Sequence, residues 1–341
     1  MAAENTVLVV AIDFGTSGSG YAFSFRHEYT SNPLNISTNY WGGAYKTPSS
    51  ILFTPDQAFH SFGEEAEDKY KELSYQGNTK DWFFLQGFKM QLYKAVENGE
   101  DVRDDFSMKD INGKKISGKL VVARSIGYLR QHMIDQLVQR NTGVPEEYIF
   151  WVLTVPAIWN DACKQFMREA AVKSGISMDK FSLVYEPEAA SIFAKSLPLD
   201  RIVGEDNRFA LKTFDIDRKF IVVDGGGGTV DISAQQVAEN GDLNTIHRAC
   251  GGPYGGEFIN QEFRKILLRV CGGDVLREFR EKHIEDYLDM INSFEIKKKT
   301  FVGDNIAVKL PVALGEILSD TTGCSLEDLI QNGSMKDDLK V

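Results

Sequence analysis

Cysteine is scarce in this chain of 341 residues, and so is positive charge. The four cysteines, Cys163, Cys250, Cys271 and Cys324, stand far apart with no Cys-x-x-Cys pair, a spacing that suggests neither a zinc site nor a disulfide framework. Lysine and arginine number 38 against 49 acidic residues, a formal net charge of −11. That balance argues against a nucleic-acid backbone or an anionic membrane surface as the main partner. Any anionic ligand must then be held by a local site, not by the global field. Long apolar runs are missing as well. Val7 to Ile12, the strongly apolar run near the N-terminus, is too short for a signal or membrane-spanning segment and breaks at Asp13. The chain therefore reads as cytoplasmic, and the sequons at Asn35 and Asn332 carry little weight.

With 43% apolar residues the chain can bury a real core, and its length suggests about two domains. Low-complexity tracts are absent, and one local pattern occurs twice. The run Val7 to Ile12 ends in Asp13-Phe14-Gly15-Thr16-Ser17, and the run Lys219 to Val223 ends in Asp224-Gly225-Gly226-Gly227-Gly228-Thr229-Val230-Asp231. Each is short enough for a buried strand that stops at a carboxylate, glycines and a threonine. Such a strand can turn so tightly that backbone N–H groups point into the turn, a concavity suited to phosphate oxygens. The hydroxyls of Thr16, Ser17 and Thr229 add donors. Asp13, Asp224 and Asp231 would repel a bare phosphate, so they make sense beside a hard cation such as Mg²⁺, which takes only one or two protein carboxylates directly. One such turn is a common structural device, often with an aspartate that merely caps it; two are far more specific.

Strand and helix patterns alternate along the chain. Tyr21 to Phe25 reads as a returning strand, Arg26 to Ala44 as a loop, and Glu64 to Leu73 as helical. Leu120 to Val138 has helical periodicity with Val122, Ile126, Leu129, Met133 and Leu137 on one face. Tyr148 to Val155 is a strand, and Asn160 to Ser174 a helix capped by Asn160 and stopped by Gly175. Ser182 to Tyr185 is a strand, and Glu186-Pro187 opens a helix. The alternation predicts an α/β fold with ligands at the carboxyl ends of the strands.

Ile12 to Thr16, Leu153-Thr154-Val155-Pro156-Ala157-Ile158-Trp159-Asn160-Asp161, Glu186-Pro187-Glu188-Ala189-Ala190, Asp224 to Asp231 and Gly255-Gly256-Glu257 occur in that order. Together they resemble the motifs of the seventy-kilodalton heat-shock protein ATPase domain. Gly87-Phe88-Lys89-Met90 and Phe166-Met167-Arg168-Glu169-Ala170-Ala171 resemble its divergent subfamily twelve. The resemblance implies the two-lobed actin-like fold, with ribonuclease-H-like cores and inserted subdomains. Lobe I would span 1–200 with a small inserted subdomain at about 45–117. Lobe II would span 201–341, with the second hairpin at 219–231 and a helical adenosine-side subdomain at about 249–341.

The same resemblance implies ATP or ADP with Mg²⁺ as cofactors, the metal held largely through water by Asp13, Asp224 and Asp231. Gly15, Thr16, Ser17, Gly226, Gly227, Gly228 and Thr229 would face the phosphates, and Gly255 and Gly256 the ribose and phosphates. Glu295, Lys298 and Lys299 would lie on the adenosine side. Lys89 matches the lysine that reaches the terminal phosphate and Glu186 the carboxylate that places the attacking water, with Asp224 and Thr229 beside them. Out of that context Lys89 reads as a solvated lysine and Glu186 as a first-turn acid favoured by the helix dipole. Expected partners are the adenine nucleotide and a co-chaperone or client protein, in a chaperone-related, stress-response role with weak hydrolysis.

The sequence also departs from the family pattern. Its third motif, an apolar strand followed by Gly-Gly, is not found, so lobe II is expected to be incomplete. Val270-Cys271-Gly272-Gly273 follows a helical stretch and reads as a helix stop. Gly225 stands where an apolar residue is usual, and Gly251 to Tyr254 reads as a loop shortened by one residue. Two alternatives stay open on these grounds. One is a nucleotide-independent binding module, whose tryptophans Trp41, Trp82, Trp151 and Trp159 would more simply be core. The other is a sugar kinase on the same fold, for which no spare carboxylate base is identifiable.

Overall fold

The computed structural model describes residues 5–102, 106–196, 216–303, 305–336 and 338–340. Its strands are β1 (Leu8–Phe14), β2 (Gly18–Phe25), β3 (Ser37–Thr38), β4 (Thr47–Pro48), β5 (Ser50–Phe53), β6 (Phe59–Phe62), β7 (Phe83–Gln86), β8 (Ser107–Lys109), β9 (Lys115–Ser117), β10 (Ile149–Val155), β11 (Phe181–Tyr185), β12 (Lys219–Gly225), β13 (Val230–Val237) and β14 (Leu243–Gly252). The helices are α1 (Arg26–Ser31), α2 (Glu64–Tyr75), α3 (Lys89–Glu97), α4 (Gly118–Gln139), α5 (Asp161–Lys173), α6 (Glu186–Ser196), α7 (Gly256–Cys271), α8 (Gly273–Lys282), α9 (Ile284–Lys299), α10 (Val312–Thr322) and α11 (Leu326–Gln331).

The chain divides into two units, Met1–Asp68 with Lys80–Gly255, and Lys69–Thr79 with Gly256–Val341. The junction expected at residues 200 and 201 lies outside the described residues. In the first unit a sheet runs β11-β10-β1-β2-β3, with β4 also paired to β2. Strands β1, β10 and β11 are parallel, and β1 and β2 form an antiparallel hairpin that sets Asp13 opposite Gly20. Alternate residues of β1 (Leu8, Val10, Ile12, Phe14) are fully buried in one core with Trp151, Phe166 and the apolar face of α4. The period-2 alternation thus decides which face of β1 is core and leaves Asp13 on the other.

The second hairpin belongs to an antiparallel sheet, β12-β13-β14, in which Asp224 pairs with Asp231. The stretch between about 45 and 117 carries the sheet β6-β5-β7, the pair β8-β9 and helices α2 and α3. In the second unit α7 to α11 close a separate core around Phe263, Phe279, Phe294, Leu314 and Leu318. Phe263 and Phe294 stack with ring centroids 4.1 Å apart.

Local signals account for several helix ends. Asn160 caps α5 by accepting from the Cys163 amide at 3.1 Å, and Gly175, with φ +98, follows its end. Helix α7 stops at Cys271, where Gly272 takes φ +83, so the Gly-Gly there ends a helix and is no third motif. Two expectations are corrected. Arg26 to Ala44 is not all loop, because α1 and β3 lie within it. Helix α1 buries none of its residues and β3 pairs over only two residues, so neither leaves an apolar period to read. Gly251 and Gly252 are the last residues of β14, paired with Asp231 and Val230, and not a loop. At Gly251 an added Cβ would collide with the Val230 carbonyl, which is why glycine serves in that strand. Among the described residues no helix is long and apolar enough to cross a membrane.

Candidate functional site

The two Asp-Gly hairpins meet. A Cβ on Gly227 would run into Ser17, and one on Gly228 into the Thr16 hydroxyl and the Met90 sulfur. A Cβ on Gly255 would strike the backbone of Gly226 to Gly228, whose turn is closed by the Gly226 amide donating to the Thr229 carbonyl at 2.9 Å. The missing side chains let three backbone segments approach where a phosphate cradle requires it. Thr16 and Thr229 are buried, while Ser17 is exposed.

Lys89 begins α3 and is 3% exposed, so it is not a solvated lysine. Its ammonium donates to the Phe14 carbonyl at 2.6 Å and pairs with Glu186 at 2.9 Å. It also lies 5.2 Å from the centre of the Trp159 ring. Glu186 sits where β11 passes into α6, at the carboxyl end of a parallel strand. Burial pushes its carboxyl above the usual range against the pull of Lys89, with Asp13 and Asp224 adding to the rise. The structure therefore joins a lysine and a glutamate 97 positions apart directly behind the first hairpin.

The three aspartates differ in their surroundings. Asp13 accepts from the Thr154 hydroxyl at 3.3 Å and pairs with Lys46 at 2.5 Å. Asp231 is 1% exposed and accepts from the Ile158 amide at 3.1 Å. Asp224 is raised above the ordinary carboxylate value by burial first and then by the like charges of Asp231 and Asp13. Among the described residues no three His, Cys, Asp or Glu side chains form a direct metal cage. The donor set nonetheless fits a hydrated hard cation, because mutually repelling carboxylates gain from a divalent charge placed beyond their first contact distance.

Sequence reading singled out neither Lys46 nor Ser49 as a site residue. The Ser49 hydroxyl donates to the Gly15 carbonyl at 2.7 Å, and its amide donates to the Ser17 carbonyl at 3.1 Å. No motif marks it; only the pairing of β4 with β2 brings it to the hairpin.

Gly256, Glu295 and Lys298 belong to the second unit, where they form a polar network. Lys298 donates to the Gly256 carbonyl and to Asn260, each at 2.9 Å, and pairs with Glu295. Burial opposes ionisation of Glu295, but bonds from Lys298 and Asn260 outweigh it and hold the carboxyl below its usual value. Lys299 reaches the same carboxylate at 3.4 Å.

Residues 9–274 match the family model described as Hsp70 protein, a span that contains both hairpins, Lys89, Glu186, Gly255 and Gly256 and stops short of Glu295. The human protein named heat shock 70 kDa protein 12A is 30% identical, over 97% of this chain and 56% of its own length. Human heat shock 70 kDa protein 12B is also 30% identical, over 96% of this chain and 55% of its own. The chain thus spans about half the length of the curated relatives it matches.

Proposed function

We propose that this chain, which belongs to the Hsp70 protein family, binds an adenine nucleotide with Mg²⁺ between its two hairpins and hydrolyses it weakly, in a chaperone-related role. Its fold is the mixed α/β, actin-like fold of the heat-shock ATPases, and its family membership makes it a nucleotide-binding domain. The observation that carries the finer reading is the contact of the two glycine turns beside the buried Lys89–Glu186 pair.

In this reading the amides and hydroxyls of Thr16, Ser17 and Thr229 bind the phosphates, with Gly15 and Gly226 to Gly228 leaving room for the backbone to do so. Gly255 borders the ribose; for Gly256, Glu295, Lys298 and Lys299, which belong to the second unit, the ribose and adenosine-side roles rest on the family resemblance alone. Asp13, Asp224 and Asp231 hold Mg²⁺ through water, and the metal would neutralise charge on the phosphates. Lys89 reaches the terminal phosphate, and Glu186, fixed by Lys89, orients the attacking water. Hydrolysis of a phosphoanhydride asks for such positioning and charge neutralisation more than for covalent chemistry.

Calorimetric titration with ATP and Mg²⁺ tests the proposal, with saturable heat and a rise in melting temperature as the expected result. No heat and no thermal shift at about millimolar nucleotide, the weak end of ordinary affinities, would sink it.

The raised carboxyls add a pH signature. A carboxyl whose folded pKa lies above its unfolded value binds more protons folded than unfolded. Its stabilising contribution is present below the ordinary carboxylate value of about 4 and is lost as pH rises through the folded value. Glu186 and Asp224 should therefore each destabilise the nucleotide-free protein as pH climbs out of that range. Melting curves of Glu186→Gln and Asp224→Asn against the parent should diverge upward over that window. Parallel curves would mean that neither group titrates differently on folding.

A further inference from the structure

Lys46 lies at the mouth of the first hairpin with its ammonium 2.5 Å from Asp13, both side chains about half exposed. An exposed ion pair of this kind usually contributes little to stability, so stability is a poor reason for its placement. The surrounding backbone gives a better one. Strand β4 pairs directly with the residues that follow the turn, Thr47 with Ser19 and Pro48 with Gly18. A Cβ on Gly20 would come within 2.7 Å of the Tyr45 carbonyl and 3.4 Å of the Lys46 Cγ, and one on Gly18 within 3.4 Å of the Lys46 Cβ. Two glycines with ordinary backbone angles thus keep open the strip along which the lysine stem lies.

The charges around it are unbalanced. Asp13 and Asp231 both raise Asp224, and Lys89, which like Lys46 favours the ionised form of Asp224, makes its hydrogen bonds to Glu186 and the Phe14 carbonyl. Lys46 supplies the positive charge that touches Asp13, and it also favours the ionised form of Asp224.

We infer that Lys46 is a tethered counter-ion, seated on the Asp13 carboxylate in the nucleotide-free protein and competing there with a divalent cation. The inference rests on the reading of Asp13 as a metal-side carboxylate. It means that the protein carries its own monovalent substitute for the metal, so that metal-free nucleotide is tolerated better, and free divalent cation bound more weakly, than three carboxylates alone would allow.

The test uses the full chain and Lys46→Met, which keeps the stem and removes the charge, with Lys46→Arg as the charge-preserving control. Mn²⁺ binding without nucleotide, followed by electron paramagnetic resonance, should tighten about tenfold in Lys46→Met, within the range that outer-shell changes produce, and should be unchanged in Lys46→Arg. The gain should vanish when Asp13→Asn is added. Calorimetry of ADP in Mg²⁺ and in chelator should show the ratio of the two affinities widening by a similar factor in Lys46→Met.

Unchanged Mn²⁺ affinity in Lys46→Met, or no Mn²⁺ binding by either protein, overturns the inference. A shift in Mn²⁺ affinity with no ADP binding by any variant would uphold Lys46 as counter-ion and refute the nucleotide reading. ADP binding with no shift would do the reverse.

Discussion

Replacement of Lys89 by alanine is expected to lower nucleotide turnover by roughly a hundredfold or more, the usual cost of removing a preorganised donor from developing charge, while ADP affinity stays nearly intact. The terminal phosphate is absent from ADP, so a group that serves it alone should not be missed there. The same change orphans Glu186. Truncating one partner of a buried pair costs about 3–5 kcal/mol when both are fully enclosed, and Glu186, still 19% exposed, should bring the loss toward the lower end. Glu186→Gln added to Lys89→Ala should therefore recover much of the melting temperature and none of the turnover, a non-additivity expected of groups in contact. Loss of ADP binding in the single variant would show that the lysine holds the first hairpin in place through Phe14 and does not act on phosphate.

Asp13→Asn and Asp224→Asn should each weaken Mg-nucleotide binding by roughly ten- to a hundredfold, as changes in a metal's outer shell commonly do, and weaken metal-free binding far less. The two variants should differ in stability. Asn at 224 removes a charge that burial, Asp231 and Asp13 all disfavour, so the nucleotide-free protein should melt higher near neutral pH. Asn at 13 keeps an acceptor for Thr154 but strands Lys46, and little change in melting is expected for so exposed a pair. Equal affinity losses with and without Mg²⁺ would mean that the aspartates shape the hairpins and do not face metal.

The elements of the first unit were legible wherever a strong period met a capping residue. Val10, Ile12 and Phe14 alternate into the core, Asn160 caps the helix it was expected to cap, and the apolar stripe of α4 from Val122 to Leu137 is buried. Lys89 and Glu186 could be paired only through the family resemblance, because nothing local links a lysine at the start of one helix to a glutamate at the start of another. What stayed invisible was set by sheet register. Lys46, Ser49, Thr154 and the Ile158 amide reach the site because β4 pairs with β2 and because the ends of β1 and β10 lie beside the start of β13. For Lys46 and Ser49 the sequence neighbourhood carries no sign of it, whereas Thr154 and Ile158 stand in a motif that the resemblance marked without giving either of them a role. Glycine misled in one place for a related reason. Gly251 looks like a loop residue, yet it is a strand residue whose side chain has been omitted to let a carbonyl in.

Trp159 turns the arrangement into an instrument. Its indole is 2% exposed and has the Lys89 ammonium 5.2 Å from its ring centre. Its ring nitrogen has no hydrogen-bond partner among the described residues. The energy of an excited indole depends on the charge beside it, and here that charge belongs to the residue assigned to the terminal phosphate. The chain holds four tryptophans, so the part of its emission that Trp159→Phe removes is the part expected to shift in colour or intensity when the ammonium changes partners, and that difference follows loading and emptying of the site in real time without any label.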